Sequence, residues 1–129
     1  MRIETKYESP LKLKEINIVE SNLKKEENIS GKLSLNLSID RKVLKIGEND
    51  YKLFLNVKLN DLDNKLIVEV KSISLFELEI DNIELVEKNG VAIIFPYLRS
   101  YLTLLTTQPG MPPIVLPAIN VIKLINDKK

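Results

Sequence analysis

Residues 91–121 constrain the fold more than any other part of the chain, because helical and extended signals alternate within them. The apolar run that begins at Val91 carries Pro96, and its apolar positions 94, 98, 101, 102 and 105 have the spacing of one helical face. Residues 106–110, Thr-Thr-Gln-Pro-Gly, are typical of a helix end. Residues 111–117 hold three prolines and favour an extended loop. The stretch predicts a helix over 91–107, with Pro96 in its first turns or at a kink, then a second short helix over 118–127.

The first two-thirds of the chain instead alternates apolar with polar residues. Leu33 to Ile39, Leu53 to Leu59 and Leu66 to Val70 each follow this period of two, which marks half-buried strands. Residues 47–50, Gly-Glu-Asn-Asp, and residues 61–64, Asp-Leu-Asp-Asn, supply turns between them. The pattern predicts antiparallel strands joined by short connections.

In two further places the alternation changes parity: the apolar residues shift from odd to even positions, so they would change from one face of the sheet to the other. In a first strand over Leu11 to Val19, one extra residue near Lys14–Glu15, a β-bulge, would restore the pattern. The same change occurs within Ile73 to Leu78. Four antiparallel strands followed by a long helix, a proline-rich loop and a short helix predict an α+β fold with helices on one face of the sheet. The 129 residues fit a single domain over 1–129.

Missing residue types limit the chemistry that is available to the chain. There is no Cys, His or Trp, so we expect no disulfide, no thiolate nucleophile and no structural zinc site. The commonest general base is also absent, and no glycine-rich phosphate loop occurs among four glycines. We therefore expect a binding protein that is not an enzyme and needs no metal or cofactor.

Charge and hydropathy narrow the range of partners. The formal net charge is +1, which favours neither nucleic acid nor an anionic membrane as a partner. No apolar run has the length of a membrane-spanning helix. The N-terminal residues Met1-Arg2-Ile3-Glu4 do not have the pattern of a signal peptide. We expect a cytoplasmic protein.

Nine residues between positions 95 and 120 follow the pattern of a known family. They are Phe95, Pro96, Tyr97, Arg99, Gly110, Pro112, Leu116, Pro117 and Asn120, at matching spacing without a gap. Residues 66–125 thereby closely resemble the SecB family of export chaperones, and the earlier residues resemble it more loosely.

The resemblance implies an ATP-independent holdase that takes unfolded or precursor polypeptides into an apolar groove. It implies that the groove is lined by the proline-rich loop, the second helix and adjacent strand residues: Leu35, Leu66, Met111, Ile114, Val115, Leu116, Val121, Leu124 and Ile125. It also implies a homotetramer, a dimer of dimers, whose interface includes Val68, Val70, Tyr97, Arg99 and Tyr101.

The family docks on the translocation motor SecA through acidic groups on the sheet and a C-terminal tail. Glu15 and Glu69 lie near the acidic positions. The near-neutral charge and the ending Asn126-Asp127-Lys128-Lys129, without such a tail, argue against this partner. A dedicated chaperone for one client, such as an antitoxin, fits the same features.

Two other interpretations stay open from the sequence. The apolar loop and last helix could simply close the core or fill a subunit interface, which composition alone favours. A binding module for one small apolar ligand, held between sheet and helices, is the alternative from a different functional class. Suppression of the aggregation of an unrelated unfolded protein would distinguish a chaperone from both.

Overall fold

The computed structural model describes residues 4–29 and 33–127. Within them, four antiparallel strands form one sheet in the order β1-β4-β3-β2: β1 (Lys12–Lys25), β2 (Asn36–Lys45), β3 (Asp50–Asn60) and β4 (Leu66–Glu77). They are followed by α1 (Ile83–Leu105) and α2 (Val121–Asp127). The predicted α+β fold class is confirmed. Most of the N-terminal segment that was compared with signal peptides, residues 1–3, and the chain end at 128–129 lie outside the described residues.

The alternation predicted for the central strands is confirmed. Leu53, Leu55, Val57 and Leu59 of β3 are buried on the face that packs beneath α1, which we call the inner face. β4 alternates in register beside β3, with Val57 opposite Val70 and Leu59 opposite Val68. The opposite side of the sheet, the outer face, carries most of the polar residues of both strands, together with apolar residues such as Phe54 of β3.

The two parity changes have different causes. The register of β1 against β4 shifts between Leu13 and Glu15, so the predicted bulge is confirmed, and it shifts again between Ile18 and Glu20. The change in β4 is not a bulge, because its pairing with β3 is continuous. Here Ser72 and Ser74 occupy buried inner positions, while Ile73 and Leu75 face outward. The Ser72 hydroxyl donates to the Leu55 carbonyl at 2.7 Å, which satisfies one of these two buried hydroxyls.

The strand ends differ from the predicted ones. β1 continues beyond Val19 to Lys25, and β2 starts at Asn36 and ends at Lys45 where the pattern indicates Leu33 to Ile39. Pairing with a neighbour carries both strands through polar residues: Lys25 pairs with Leu66 and Lys45 with Tyr51. Backbone hydrogen bonding, which the alternation of side chains does not report, therefore determines the lengths of both edge strands.

α1 begins eight residues before the predicted start at Val91. Asn82 caps it, since its side-chain oxygen accepts from the Leu85 amide at 3.1 Å. Pro96 consequently lies in the interior of α1, on its exposed face, where water can solvate the Ala92 carbonyl that has no amide donor. The predicted helix end is confirmed, because α1 stops at Leu105 with Thr106 as its C-cap.

Close approach of α1 to the sheet depends on Gly90. A Cβ atom at this position would lie 3.1 Å from Leu53 Cδ2 and 3.4 Å from Phe76 Cε2. Both neighbours are fully buried and have little freedom to move. Among the described residues, the buried apolar side chains of sheet, α1 and Leu116 form one cluster.

The predicted turns at 47–50 and 61–64 are confirmed. In the second, the Asn64 amide donates to the Asp61 carbonyl at 3.1 Å, and Asn64 adopts a φ of 54°. The Leu66 amide donates to Asp61 Oδ1 at 2.9 Å and holds the pKa of that carboxyl below its ordinary value of 3.8. Asp61 thereby fixes the turn that starts β4.

Candidate functional site

The proline-rich segment between the helices is tied to the end of α1 by two threonines. Thr103 donates its hydroxyl to the Ile114 carbonyl at 2.7 Å, and the Ile114 amide donates to Thr106 Oγ1 at 2.8 Å. Leu116 then inserts into the core. These contacts hold the segment along α1 without secondary structure and determine where α2 starts.

α2 is a short helix without a fully buried residue. Asn120 begins it, since its side-chain oxygen accepts from the Lys123 amide at 3.0 Å. The observed helix is shorter than the predicted 118–127 because residues 118–120 stay extended after Pro117. Val121 and Leu124 are partly buried against the core, whereas Ile122 is 55% exposed.

Two open clefts flank α2, and β2 contributes to both of them. The first, the Arg41 cleft, measures about 600 Å³ and reaches the start of α1; its lining is Ile39, Asp40, Arg41, Glu84, Glu87, Lys88, Ile122, Ile125 and Asn126. The second, the Leu124 cleft, measures about 310 Å³; its lining is Leu37, Ser38, Ile39, Ile119, Asn120, Lys123, Leu124 and Asp127. Ile39 lies in the lining of both clefts. Together we call them the α2 groove.

The two clefts differ in polarity. Four apolar side chains, Leu37, Ile39, Ile119 and Leu124, line the Leu124 cleft together with four polar ones. The Arg41 cleft combines two isoleucines of α2 with charged side chains from β2 and α1. A chain segment that occupied both clefts would meet apolar and polar side chains in each, with more charged side chains in the Arg41 cleft.

Arg41 is held on the inner face of β2 by two contacts. Its Nε donates to Glu87 Oε1 at 3.1 Å, and its Nη2 donates to the Ile125 carbonyl at 2.9 Å. Only 8% of the Arg41 side chain is exposed, against 33% for Glu87. Charged hydrogen bonds of this kind offset part of the cost of removing a guanidinium from water.

The residues predicted for the groove do not all lie together. Leu124 and Ile125 line the α2 groove, one in each cleft. Leu66 and Leu116 are core residues with 3% exposure each, so they cannot contact a client in this conformation. Val115 is 68% exposed but lines a separate shallow cleft beside Pro96 and Arg99. The remaining predicted residues, Leu35, Met111, Ile114 and Val121, are partly buried against the core.

Sequence reasoning included strand residues in the groove through Leu35, but it missed Leu37, Ile39 and Arg41 of β2 and the contribution of α1. The alternation of Leu37 with Ile39 predicts an inner face but does not show what covers it. One signal was available: Arg41 continues the apolar period of Leu37 and Ile39, and a charge at such a position requires a partner. Its partners Glu87 and Ile125 are far away in sequence.

The residues predicted for an oligomer interface separate into two groups. Val68 and Val70 have no exposed surface and belong to the core of a single chain beneath α1, so we do not assign them to an interface. Tyr97 is 53% exposed on α1, and Arg99 is partly exposed. Tyr101 is partly buried, with its hydroxyl 3.0 Å from Ser21 Oγ of β1.

An apolar stripe runs along the outward face of α1. Ile93, Tyr97 and Leu104 are separated by four and seven residues, so they lie above one another on the helix. Leu104 is 69% exposed and Tyr97 is also exposed, whereas Ile93 is partly buried against the core. A stripe of this kind is typical of a surface that another protein chain covers.

Glu15 and Glu69 both lie on the outer face of the sheet but far apart. Glu15 pairs in register with Leu75, six residues along β4 from Glu69, which places them about 20 Å apart. Lysines interrupt the acidic groups: Lys14 lies 3.6 Å from Asp50, and Lys71 lies 3.4 Å from Glu20. The outer face is therefore mixed in charge.

The described residues contain no group of three or more acidic side chains that could hold a metal ion. In the same part of the chain, neither α1 nor α2 combines the length and the hydropathy that crossing a membrane requires.

The order of sheet, long helix, extended segment and short helix agrees with a family match over the whole chain. The family model described as Preprotein translocase subunit SecB matches residues 1–129. The chain belongs to the SecB family. SecB family proteins are chaperones and not enzymes.

One curated relative of this SecB family chain is Uncharacterized protein MJ0357 of Methanocaldococcus jannaschii. The two are 30% identical over 101 residues, which cover 70% of this chain and 64% of the relative. The matched region thus spans less than two thirds of the relative's length.

Two solved structures share the fold at low sequence identity. The first is the Mycobacterium tuberculosis SecB-like chaperone Rv1957 in complex with a ChAD peptide from the Rv1956 HigA1 antitoxin. It has a TM-score of 0.72 and 14% identity, covering 85% of this chain and 90% of the other. The second is a protein of unknown function from Streptococcus agalactiae, with a TM-score of 0.52 and 9% identity, covering 84% and 97%.

Proposed function

We propose that this SecB family chain is an ATP-independent holdase that takes apolar segments of unfolded polypeptides into the α2 groove. The observation that carries the proposal is the pair of open clefts on either side of α2, with Ile122, Leu124 and Ile125 at their walls. Burying client side chains there would contribute roughly 25 cal/mol per Å² of apolar area before the entropy of ordering is subtracted. Many weak contacts of this kind hold a client and still let it leave.

We further propose that the chain assembles as a homotetramer, a dimer of dimers, with α1 at its centre. Tyr97 and Leu104 of this stripe support the assembly, since a monomer would leave both side chains in water. The same stripe on two copies can cover itself across a twofold axis. Tyr101 borders the stripe, and Arg99, on the side of α1 that faces Val115, completes the proposed interface.

The clients we propose are precursor polypeptides in export or one dedicated partner of the antitoxin kind. The structural neighbour from Mycobacterium tuberculosis was solved with an antitoxin peptide, which supports a polypeptide client for this chain also. Cytoplasmic residence stays a prediction from the sequence.

The small-ligand alternative finds less support. It requires an apolar cavity between the sheet and the helices. Between the sheet and α1, Leu55, Val57, Ile94 and Leu98 are fully buried. Protein interiors packed in this way leave no room for a lipid-like molecule. The clefts that β2 forms with the helices are open and lined in part by charged residues. The spaces described above lie outside the core, next to α2.

The holdase proposal is tested by aggregation of a chemically unfolded protein that is unrelated to the chain. Dilution from denaturant without nucleotide should give much less light scattering when the chain is present in stoichiometric amounts. A folded protein of similar mass, added at the same concentration, serves as the control. Scattering equal to that of the control would contradict the proposal.

We predict weak or no binding of this chain to SecA. Exposed charge pairs contribute about 0–1 kcal/mol each and are screened at physiological salt. Glu15 and Glu69 are too far apart to act as one acidic patch, and Lys14 and Lys71 reduce the local negative charge. Calorimetric titration with the same organism's SecA should show no saturation at micromolar concentrations.

A variant with altered surface charge tests whether the charge of the outer face is what limits binding to SecA. Lys14→Glu with Lys71→Glu makes the outer face more acidic while changing no residue of the inner face. Binding that appears only in this variant would identify surface charge as the missing element. Sub-micromolar binding by the unaltered chain would refute the prediction.

A further inference from the structure

Arg41 projects from the inner face of β2, where its neighbours in the alternation, Ile39 and Val43, are apolar. Only 8% of its side chain is exposed. Burying a guanidinium in this way is unfavourable unless charged or hydrogen-bonding partners replace water. Those partners come from two other elements, α1 and α2.

The guanidinium joins three elements at one point. Its Nε donates to Glu87 of α1 at 3.1 Å, and its Nη2 donates to the Ile125 carbonyl of α2 at 2.9 Å. The last carbonyls of a helix have no partner within the helix, so an arginine there supplies both a hydrogen bond and a favourable charge. The planar fork of arginine can make both contacts at once.

Few other contacts hold α2 in its position. It has seven residues, none of them fully buried, and a helix of this length is not stable alone. Its N-terminal side follows Leu116, which is inserted in the core. At its C-terminal side, Leu124 packs against the core, and among the described residues the bond from Arg41 to Ile125 is the hydrogen bond that joins α2 to the sheet.

We infer that Arg41 is a positioning residue, which holds the C-terminal end of α2 beside β2 and so sets the shape of the α2 groove. The consequence for clients rests on the proposed holdase function. Without Arg41, α2 moves about its anchor near Leu116, and client binding must then order it at an entropic cost. Client capture weakens although no apolar groove residue has changed.

The inference is tested by hydrogen exchange in the whole chain, measured by mass spectrometry on peptides that cover α2 and β3. Arg41→Met keeps an unbranched side chain but removes both hydrogen bonds. We expect exchange in residues 123–127 to become about tenfold faster, with β3 unchanged. Lys45→Met is the matched control, since Lys45 lies on the same strand and pairs with Asp81, away from α2.

Two milder variants test the same contact if Arg41→Met does not fold. Arg41→Lys keeps the charge but cannot span both partners, so exchange in α2 should lie between the wild type and Arg41→Met. Glu87→Gln weakens the contact with the guanidinium and should also make hydrogen exchange in α2 faster. Unchanged exchange in α2 in all folded Arg41 variants, or equal acceleration in Lys45→Met, would overturn the inference.

Client capture is measured on the same samples by the aggregation assay. Arg41→Met should require several-fold more protein for the same suppression, and Lys45→Met should not. Faster exchange with unchanged capture would refute the link between α2 and the client. If the wild type captures nothing, the holdase proposal fails, while the exchange data still decide the role of Arg41.

Discussion

Leu124→Asp with Ile125→Asp should leave a folded protein that holds unfolded clients at least about tenfold more weakly. Leu124 lines the Leu124 cleft and Ile125 the Arg41 cleft, so the double variant places a carboxylate in each half of the groove. A client that binds there would have to remove both charges from water without a partner. α2 contributes no fully buried residue to the core, so we expect the fold to survive.

The measurement is the amount of protein that halves the aggregation of the unfolded client. Leu124→Met with Ile125→Met is the matched control, because it keeps apolar side chains of similar volume. Val115→Asp gives a second comparison, since Val115 is exposed but lies in a different cleft. Full capture by a folded Leu124→Asp, Ile125→Asp variant would place the client site elsewhere; loss of folding would assign both residues to the core.

Tyr97→Lys with Leu104→Lys should convert the proposed tetramer into dimers. Both side chains are exposed on the outward stripe of α1, so neither contributes to the core of a single chain. In an interface between copies of the same helix, the added lysines would face their own symmetry mates and would also lose hydration. Size-exclusion chromatography with light scattering should give the mass of four 14.8 kDa chains for the wild type and of two for the variant.

Tyr97→Phe with Leu104→Met is the control for assembly, because it keeps the stripe apolar, and it should stay tetrameric. Thermal melting and circular dichroism establish that the lysine variant remains folded. A wild type that is monomeric at micromolar concentration would refute the assembly proposal. A lysine variant that still has the mass of four chains would show that the interface lies away from this stripe.

Local sequence signals predicted the sheet well because they depend on short-range geometry. The period of two in Leu53 to Leu59 predicted the inner face of β3, and the parity change near Lys14–Glu15 predicted the β1 bulge. The same rule failed at Ser72 and Ser74, where polar residues occupy buried positions. The start of α1 was also missed, because Asn82 was not interpreted as a cap.

The sequence by itself determined the fold class, the turns, the end of α1 and the family resemblance, since each depends on residues that are close in the chain. Only the tertiary structure decided which residues form the α2 groove and that Val68 and Val70 are covered by α1. Arg41 shows the physical reason. Its partners are 46 and 84 residues away, and no local periodicity reports a contact between elements that meet only after the chain has folded.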